Sequence, residues 1–413
     1  MGINKWSKPT KLLFVIVLTV PFLAGCWDSM ELDKRAVVLG LSIDEATPQK
    51  AKQESEITHL HGKFPTPKKE MVQVNAQIAL PGQIPLGPGE SGGQTGAGNP
   101  RQTVWPIEVV GHTIDDAMMN LQQQLSSKLF FGHLRVVVVS EKIAKKGLQN
   151  INDYLRRNSE VRRTTWMLIS NGEAKNVMRA APKLGRLPTL YLLRTMLQAV
   201  KMGKFPNDFL GLFWSATSAK GQEGYLPYIE LKKEENVEIK GMAYFKGNKM
   251  VGVTKPLEIA AFMGIKGLNP AGYRTFVKVP GTSTVVNLYA TQRKAKTNLK
   301  IIDGRPHFHL FVSVDTNLEE VIGASIPIDT PAILSKIERE DERSAEKFYK
   351  DLIKQTQAKG SDIFGFGEYV RAKEPKYWNQ NIRTKENWQK MYKDISVDIK
   401  VKINIRRVGM KAV

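Results

Sequence analysis

Alternation of apolar and polar residues is clearest near the carboxyl end of the chain. Apolar residues occupy every second position from Ile395 to Ile405, and polar or charged residues lie between them. Successive side chains of a strand point to opposite faces of a sheet, so this pattern predicts a strand with one buried face and one wet face. The wet face carries a basic row, Lys400, Lys402 and Arg406. We interpret this row as a surface for a membrane or a partner protein.

The remainder of the C-terminal half predicts hairpins and one long helix. Turn residues at Lys246-Gly247-Asn248 and at Asp303-Gly304 are typical of hairpins. Thr330-Pro331 places an N-cap and a first-turn proline at the start of a long helical pattern, and Gly360 ends it. We therefore predict that residues 238–413 form a C-terminal α+β domain, in which an antiparallel sheet is packed by the long helix.

The N-terminal half alternates between helical and strand patterns. A helix with Thr113 as its N-cap precedes an apolar strand at 134–139, and further helices lead to a second strand at 164–170. Strands joined through helices are usually parallel neighbours in one sheet, so we predict a mixed sheet with an αβαβα unit. Residues 26–186 are assigned to this N-terminal α/β domain, and 187–237 to a connector or small middle domain. The overall fold class is multi-domain α+β.

Two stretches are predicted to lie outside the folded domains. Residues 82–100 are rich in Gly, Pro, Ser and Gln and nearly uncharged, which predicts a mobile loop. Residues 1–25 contain three lysines, no acid and an apolar stretch from Leu12 to Ala24. That stretch is too short for a stable transmembrane helix, so we interpret 1–25 as a removable signal peptide.

Cys26, the single cysteine of the 413 residues, follows Leu23-Ala24-Gly25 and looks like the cysteine of a bacterial lipobox. A thioether-linked diacylglycerol there supplies two acyl chains, which is enough for stable anchoring. We predict lipid attachment at Cys26 on the outer face of a bacterial membrane. The alternative is a soluble secreted protein with a cysteine near its cleavage site.

The chain is strongly basic, with a formal charge of +21 that falls to +18 without the three leader lysines. Basic residues cluster at 128–163 and at 390–411. Anionic lipid, a wall polymer or an acidic protein would suit these clusters, and a solvated surface accounts for them equally well. Nucleic acid is not an expected partner of a protein anchored outside the cell.

The sequence gives little indication of catalysis. Two His-x-His pairs, His59/His61 and His307/His309, have the spacing at which strand residues could share a metal. The first pair lies in a polar stretch and the second has no third ligand nearby in the sequence. The glycine-rich stretch 87–98 lacks the G-K-[ST] ending of a phosphate-binding loop. We therefore predict no metal site, no cofactor and no catalytic residue.

The stretch Gly25-Cys26-Trp27-Asp28, followed by the apolar run 36–43 and Asp44, resembles the start of the Ger(x)C family. These proteins are the C subunits of spore germinant receptors in endospore-forming bacteria. The resemblance continues in order along the chain through five further segments: Gly111-His112-Thr113, Phe131-Gly132-His133-Leu134-Arg135, Gly241 to Gly252, Asp362 to Gly367, and Trp388.

The resemblance implies a non-enzymatic, acylated subunit of a nutrient germinant receptor on the outer surface of the spore inner membrane. It also implies assembly with an A subunit and a multispanning B subunit, and Cys26 as the acylated residue. The alternative class is a membrane-tethered binding protein for a wall polymer or a small ligand, associated with a transporter.

Overall fold

The computed structural model describes residues 34–52, 54, 57–60, 70–80, 104–180, 187–233, 236–323, 328, 330–408 and 411–412. Residues 1–25, Cys26 and the stretch 82–100 lie outside the described residues, so the predicted signal peptide, lipid attachment and mobile loop stay predictions.

The first sheet contains nine strands in the described part of the chain. They are β1 (Arg35–Glu45), β2 (Val72–Ala79), β3 (Val104–Gly111), β4 (Lys128–Phe130), β5 (Val136–Ser140), β6 (Trp166–Ser170), β7 (Tyr225–Leu231), β8 (Val237–Lys246) and β9 (Lys249–Val253). Their order is β3-β2-β1-β5-β6-β7-β8-β9, with β4 beside β1. The central strands β1, β5, β6 and β7 are parallel, and β4 is also parallel to β1. The outer strands β2, β3, β8 and β9 pair antiparallel. The predicted mixed sheet is confirmed.

Eight described helices precede or follow these strands. They are α1 (Pro48–Ala51), α2 (Ile114–Gln122), α3 (Glu141–Lys146), α4 (Gln149–Arg157), α5 (Ala174–Arg179), α6 (Pro188–Lys201), α7 (Leu210–Ser218) and α8 (Glu258–Ile265). The predicted N-cap of α2 is confirmed, because the Thr113 side chain accepts a hydrogen bond from Asp116 N at 3.1 Å.

The second sheet contains β10 (Arg274–Lys278), β11 (Val285–Ile302), β12 (Arg305–Ile322), β13 (Ser396–Val408) and β14 (Lys411–Ala412), in that order. Asp303 and Gly304, with φ of 49° and 72°, turn β11 into β12 as predicted. One pairing differs from the expected antiparallel sheet, because β13 lies parallel to β12. The chain leaves β12 through helices and returns at the opposite end of the strand, a connection that produces parallel neighbours.

Those helices are α9 (Pro331–Lys359), α10 (Phe366–Lys373), α11 (Pro375–Tyr377), a π-helical turn (Trp378–Ile382) and α12 (Lys385–Tyr392). α9 begins and ends where the sequence predicts, with Pro331 in its first turn and Gly360 as a left-handed C-cap at φ 64°. Apolar residues of α9 such as Ile337 and Leu352 are fully buried. No helix among the described residues combines the length and apolar content needed to cross a bilayer.

One large core joins the two sheets. It contains Val136 and Trp166 of the first sheet together with Phe308 and Val401 of the second. Within the segment predicted as a connector, β7 is hydrogen-bonded into the first sheet, and β8 and β9, assigned to the C-terminal domain, extend that sheet to Val253. Beside this shared core, each sheet also has a core of its own, one within residues 36–250 and one within residues 277–405. The predicted domain boundaries stay predictions.

Candidate functional site

The basic row on β13 is ion-paired. Lys400 lies 3.2 Å from Glu346, and Lys402 lies 3.0 Å from Glu342. Arg406 on the same strand lies 3.1 Å from an aspartate of β12. The cations remain partly exposed, but neighbouring carboxylates offset their charge. The interpretation of this row as a membrane or partner surface stays a prediction.

Glutamates of α9 also cover the backbone edge of β13. Glu346 accepts a hydrogen bond from Val401 N at 3.1 Å, and Glu342 accepts one from Ile403 N at 3.2 Å. Glu338 completes the series with a 2.9 Å bond from the next inward-facing residue, Ile405. Unpaired N–H groups at the edge of a sheet can form hydrogen bonds with a strand of another molecule. The three glutamates accept these hydrogen bonds and thereby prevent such pairing. The four-residue spacing of these glutamates is visible in the sequence, but the strand to which they bind is not.

A pocket of about 390 Å³ lies between α8, α9 and strands β10 to β13. Leu257, Phe276 and Phe348 give it apolar walls. Phe276 is 67% exposed, which is unusual for a large apolar side chain and marks the open side of the pocket. The pocket has the size and lining of a small-molecule site.

Two buried charged side chains line this pocket. Arg293 donates to Ala260 O at 2.8 Å and to Ala271 O, while its Nε atom has no partner among the described residues. Asp341 is 7% exposed, and within the described part of the chain no hydrogen bond or ion pair reaches its carboxylate. Burial raises the pKa of Asp341 to about 6, and the charge of Glu342 adds to this effect. Neither side chain was singled out from the sequence.

The second histidine pair has a third potential ligand, which corrects one reason for predicting no metal there. Asp398 of β13 lies opposite His309 in the parallel register. Its Oδ2 atom is 3.0 Å from His307 Nε2 and 3.6 Å from His309 Nδ1. The sequence does not indicate this neighbour, because Asp398 lies 91 residues after His307 in the chain.

In the structure, His59 of the first histidine pair belongs to a group of side chains that the sequence did not indicate. His59 lies with Glu54 and His112, and these three side chains could together hold a metal ion. His61 lies outside the described residues. His112 follows β3, so only the fold brings it to His59. The structure therefore brings together three possible metal ligands that are far apart in the sequence, and the prediction of no metal site stays a prediction.

The residues that follow the C-terminal end of α9 form a buried hydrogen-bonded network. Asp362 accepts hydrogen bonds from Gly365 N and Gly367 N, each at 2.9 Å, and from Trp388 Nε1 at 3.0 Å. Burial raises the pKa of Asp362 to about 6, and these three donors oppose the increase. The network locks α10 and α12 against the core, so we assign this segment a structural role.

A short match to the G-x-S-x-G pattern, residues 89–93, lies in the nearly uncharged stretch outside the described residues. Such a nucleophile turn requires a preceding strand and a following helix, and the surrounding Gly and Pro residues predict neither.

Two family models match the chain in order. "Spore germination protein N-terminal domain" matches residues 28–231, and "Spore germination B3/ GerAC like, C-terminal" matches residues 240–409. Spore germination protein KC of Bacillus subtilis (strain 168) is 26% identical and covers 97% of this chain and 96% of its own length. Spore germination protein GerQC of Bacillus cereus is 26% identical over 73% of this chain and 81% of its own.

A solved structure has the same fold. The crystal structure of the GerBC protein superposes with a TM-score of 0.53 at 16% identity, covering 83% of this chain and 95% of that one. At this identity the likeness concerns the fold alone.

Proposed function

Because the chain belongs to the Ger(x)C family of spore germination proteins, whose two family models match it from residue 28 to residue 409, we propose that it is the C subunit of a nutrient germinant receptor. In this proposal it is a non-enzymatic protein, anchored by lipid at Cys26 on the outer face of the spore inner membrane. It assembles there with an A subunit and a multispanning B subunit.

The ordered match of both family models is the observation that carries the proposal. The two models follow each other along the chain, and the relatives KC and GerQC are named as spore germination proteins. In the buried network around Asp362, the carboxylate is occupied by hydrogen bonds from the start of α10 and from α12. A role in assembly and positioning therefore suits these residues better than catalysis.

Deleting the gene for this chain is expected to abolish the spore's response to one class of nutrient and to spare the other classes. A receptor that lacks one subunit fails to signal its own nutrients, whereas separate receptors continue to work. The measurement is dipicolinate release from purified spores exposed to separate nutrient classes, with a trigger that bypasses nutrient receptors as a control.

Reintroducing the intact gene should restore the missing response. Mutant spores that answer every nutrient class at the normal rate would contradict the proposal.

The pocket near Asp341 favours a second candidate function, a membrane-tethered binding protein for a small ligand. A buried carboxylate without a partner among the described residues suits a ligand that carries a positive charge, and the apolar walls suit a hydrocarbon body. Small amines meet both conditions. In this function the chain captures its ligand without other subunits.

The test of this second function is calorimetric titration of the detergent-solubilised chain with 3-methylbutylamine, and with uncharged 3-methylbutanol for comparison. The amine should bind more tightly than the alcohol. This preference should exist only while Asp341 is ionised. Because the pKa of Asp341 is raised to about 6, the carboxylate takes up a proton as the pH falls through that value, and affinity for the amine should fall with it.

Asp341→Asn should remove both the preference for the amine and its pH dependence. Folding should survive this change, because burial disfavours the ionised carboxyl that the substitution removes. Asp351→Asn, on the exposed face of the same helix, is the matched control. Equal binding of amine and alcohol by the unmodified chain would rule out this function for the pocket.

A further inference from the structure

Three metal-ligating side chains meet at the edge of the first sheet. Glu54 and His59 come from the segment between α1 and β2, and His112 comes directly after β3. Glu54 Oε2 lies 3.5 Å from His59 Nε2 and 3.3 Å from His112 Nε2. The ligand atoms of the three residues all lie within 4.8 Å of one another. Two imidazoles and a carboxylate therefore lie together in one compact group.

The distances within this group fit the spacing of ligand atoms around one shared cation. A charge-assisted bond between imidazolium and carboxylate is usually about 2.7–2.9 Å long. Ligand atoms around tetrahedral zinc, at bond lengths of about 2.0–2.1 Å, lie about 3.3 Å apart along each edge of the tetrahedron. The separations of 3.3 and 3.5 Å from Glu54 Oε2 match the tetrahedral edge. We propose that Glu54, His59 and His112 bind one zinc ion.

Burial supports this assignment. The side chains of Glu54 and His59 are each 5% exposed, and that of His112 is 16% exposed. Burial keeps bulk water away from these ligand atoms and so favours a bound cation over a hydrated one. Imidazole nitrogen selects zinc and similar transition metals over magnesium or calcium, which prefer oxygen.

The backbone around the two histidines is fixed by one aspartate. Asp116, in the first turn of α2, accepts a hydrogen bond from His112 N at 2.8 Å and one from the Thr58 hydroxyl at 2.5 Å. Thr58 directly precedes His59. Asp116 thereby holds both ligand-bearing segments in place, as hydrogen-bonding residues outside a metal's own ligands commonly do.

The exposed group formed by His307, His309 and Asp398 lacks these properties. Its shortest contact, 3.0 Å between His307 and Asp398, is an ordinary hydrogen-bond length. The Asp398 side chain is 62% exposed and loses little by remaining in water. We therefore assign the zinc to the buried group alone.

The proposed zinc links Glu54 and His59 to the turn between β3 and α2. Three protein ligands leave the fourth tetrahedral position for water or for a group from another molecule. Because the ligands come from segments that are far apart in the chain, the ion crosslinks the fold and should stabilise it in the manner of any ligand that binds only the native state.

The test measures zinc bound per chain after equilibrium dialysis of the detergent-solubilised full chain against Zn²⁺. All variants carry Cys26→Ser, His307→Ala and His309→Ala, so that the thiol and the exposed histidine pair contribute nothing. This background protein should bind one zinc ion and show a higher melting temperature in Zn²⁺ than in chelator.

Adding His112→Ala should reduce the bound zinc from one per chain to none and remove the thermal shift. Glu54→Gln, which keeps the shape of the side chain, should weaken zinc binding while the circular dichroism spectrum stays native, and it serves if His112→Ala does not fold. His133→Ala is the control and should retain one zinc. Less than one zinc on the background protein, or one zinc retained by both His112→Ala and Glu54→Gln, would overturn the proposal.

Discussion

Cys26→Ala is expected to release the protein from the membrane and to abolish the spore's response to one class of nutrient. The reason is the proposed anchor. With the thiol removed, no diacylglycerol can be attached, and the part of the chain that the structure describes contains no helix able to span a bilayer. A subunit that is not held at the membrane cannot accumulate beside membrane partners. The loss should be nearly complete for that nutrient class and absent for the others.

Two measurements are made on spores in which the variant is the single copy. Immunoblots of membrane and soluble fractions report the location of the protein, and dipicolinate release reports germination for each nutrient class. As a control, the Cys26→Ala chain is fused to an N-terminal transmembrane helix, which should restore membrane location and germination without lipid. A variant found in the soluble fraction whose spores germinate normally in every nutrient would refute the need for the anchor.

The elements that follow local patterns could be predicted from the sequence. The strand at 395–405 alternates strictly, and the structure buries Ile399, Val401 and Ile403 while exposing Lys400 and Lys402. The limits of α9 were predicted because proline and glycine act on the backbone at their own positions. These patterns involve only a few neighbouring residues, so they predict local structure without knowledge of the rest of the chain.

Pairings between distant segments could not be predicted. Nothing in the β12 or β13 patterns indicates that the strands are parallel, because alternation sets which face a residue occupies and not which neighbour it has. β8 and β9 were correctly expected to form a hairpin, but their membership of the first sheet depends on pairing between β7 and β8.

The candidate sites show the same limit. Glu54 and His112 are separated by more than fifty residues, and the β2–β3 hairpin brings them together. Asp341 appeared in the sequence as one charge among many on a long helix, and only the structure shows that it is buried beside a pocket. Sequence patterns identify burial along one element, whereas a site depends on the packing of several.

The segment from Asp362 to Gly367 carried part of the family resemblance, and the structure gives it a physical reason. Gly367 packs directly against the Trp388 ring, whose Nε1 donates to the buried Asp362 carboxylate. A Cβ atom at position 367 would lie 2.5 Å from Trp388 Cε2 and Nε1, and 2.6 Å from Gly221 Cα. Contacts this short cannot occur, so a side chain here must displace the tryptophan or the backbone.

Gly367→Ala is therefore expected to lower the free energy of unfolding by about 2.5–6 kcal/mol. Overpacking a core costs about 1–3 kcal/mol, and loss of the bond from Trp388 to a buried carboxyl adds about 1.5–3 kcal/mol. The measurement is urea unfolding of the detergent-solubilised chain, followed by tryptophan fluorescence. Gly247→Ala is the control, because its Cβ would meet open space and its φ of 60° should cost only about 1–2 kcal/mol.

A double-mutant cycle separates the clash from any general effect on the turn. Trp388→Ala alone should be strongly destabilising because it removes a large buried ring. If the clash with that ring causes the loss at position 367, the Gly367→Ala/Trp388→Ala double variant should be clearly more stable than the sum of the single effects predicts, since the methyl group then has space. Additive costs, or a Gly367→Ala cost no larger than that of Gly247→Ala, would show that the close approach of Gly367 to Trp388 does not stabilise the fold.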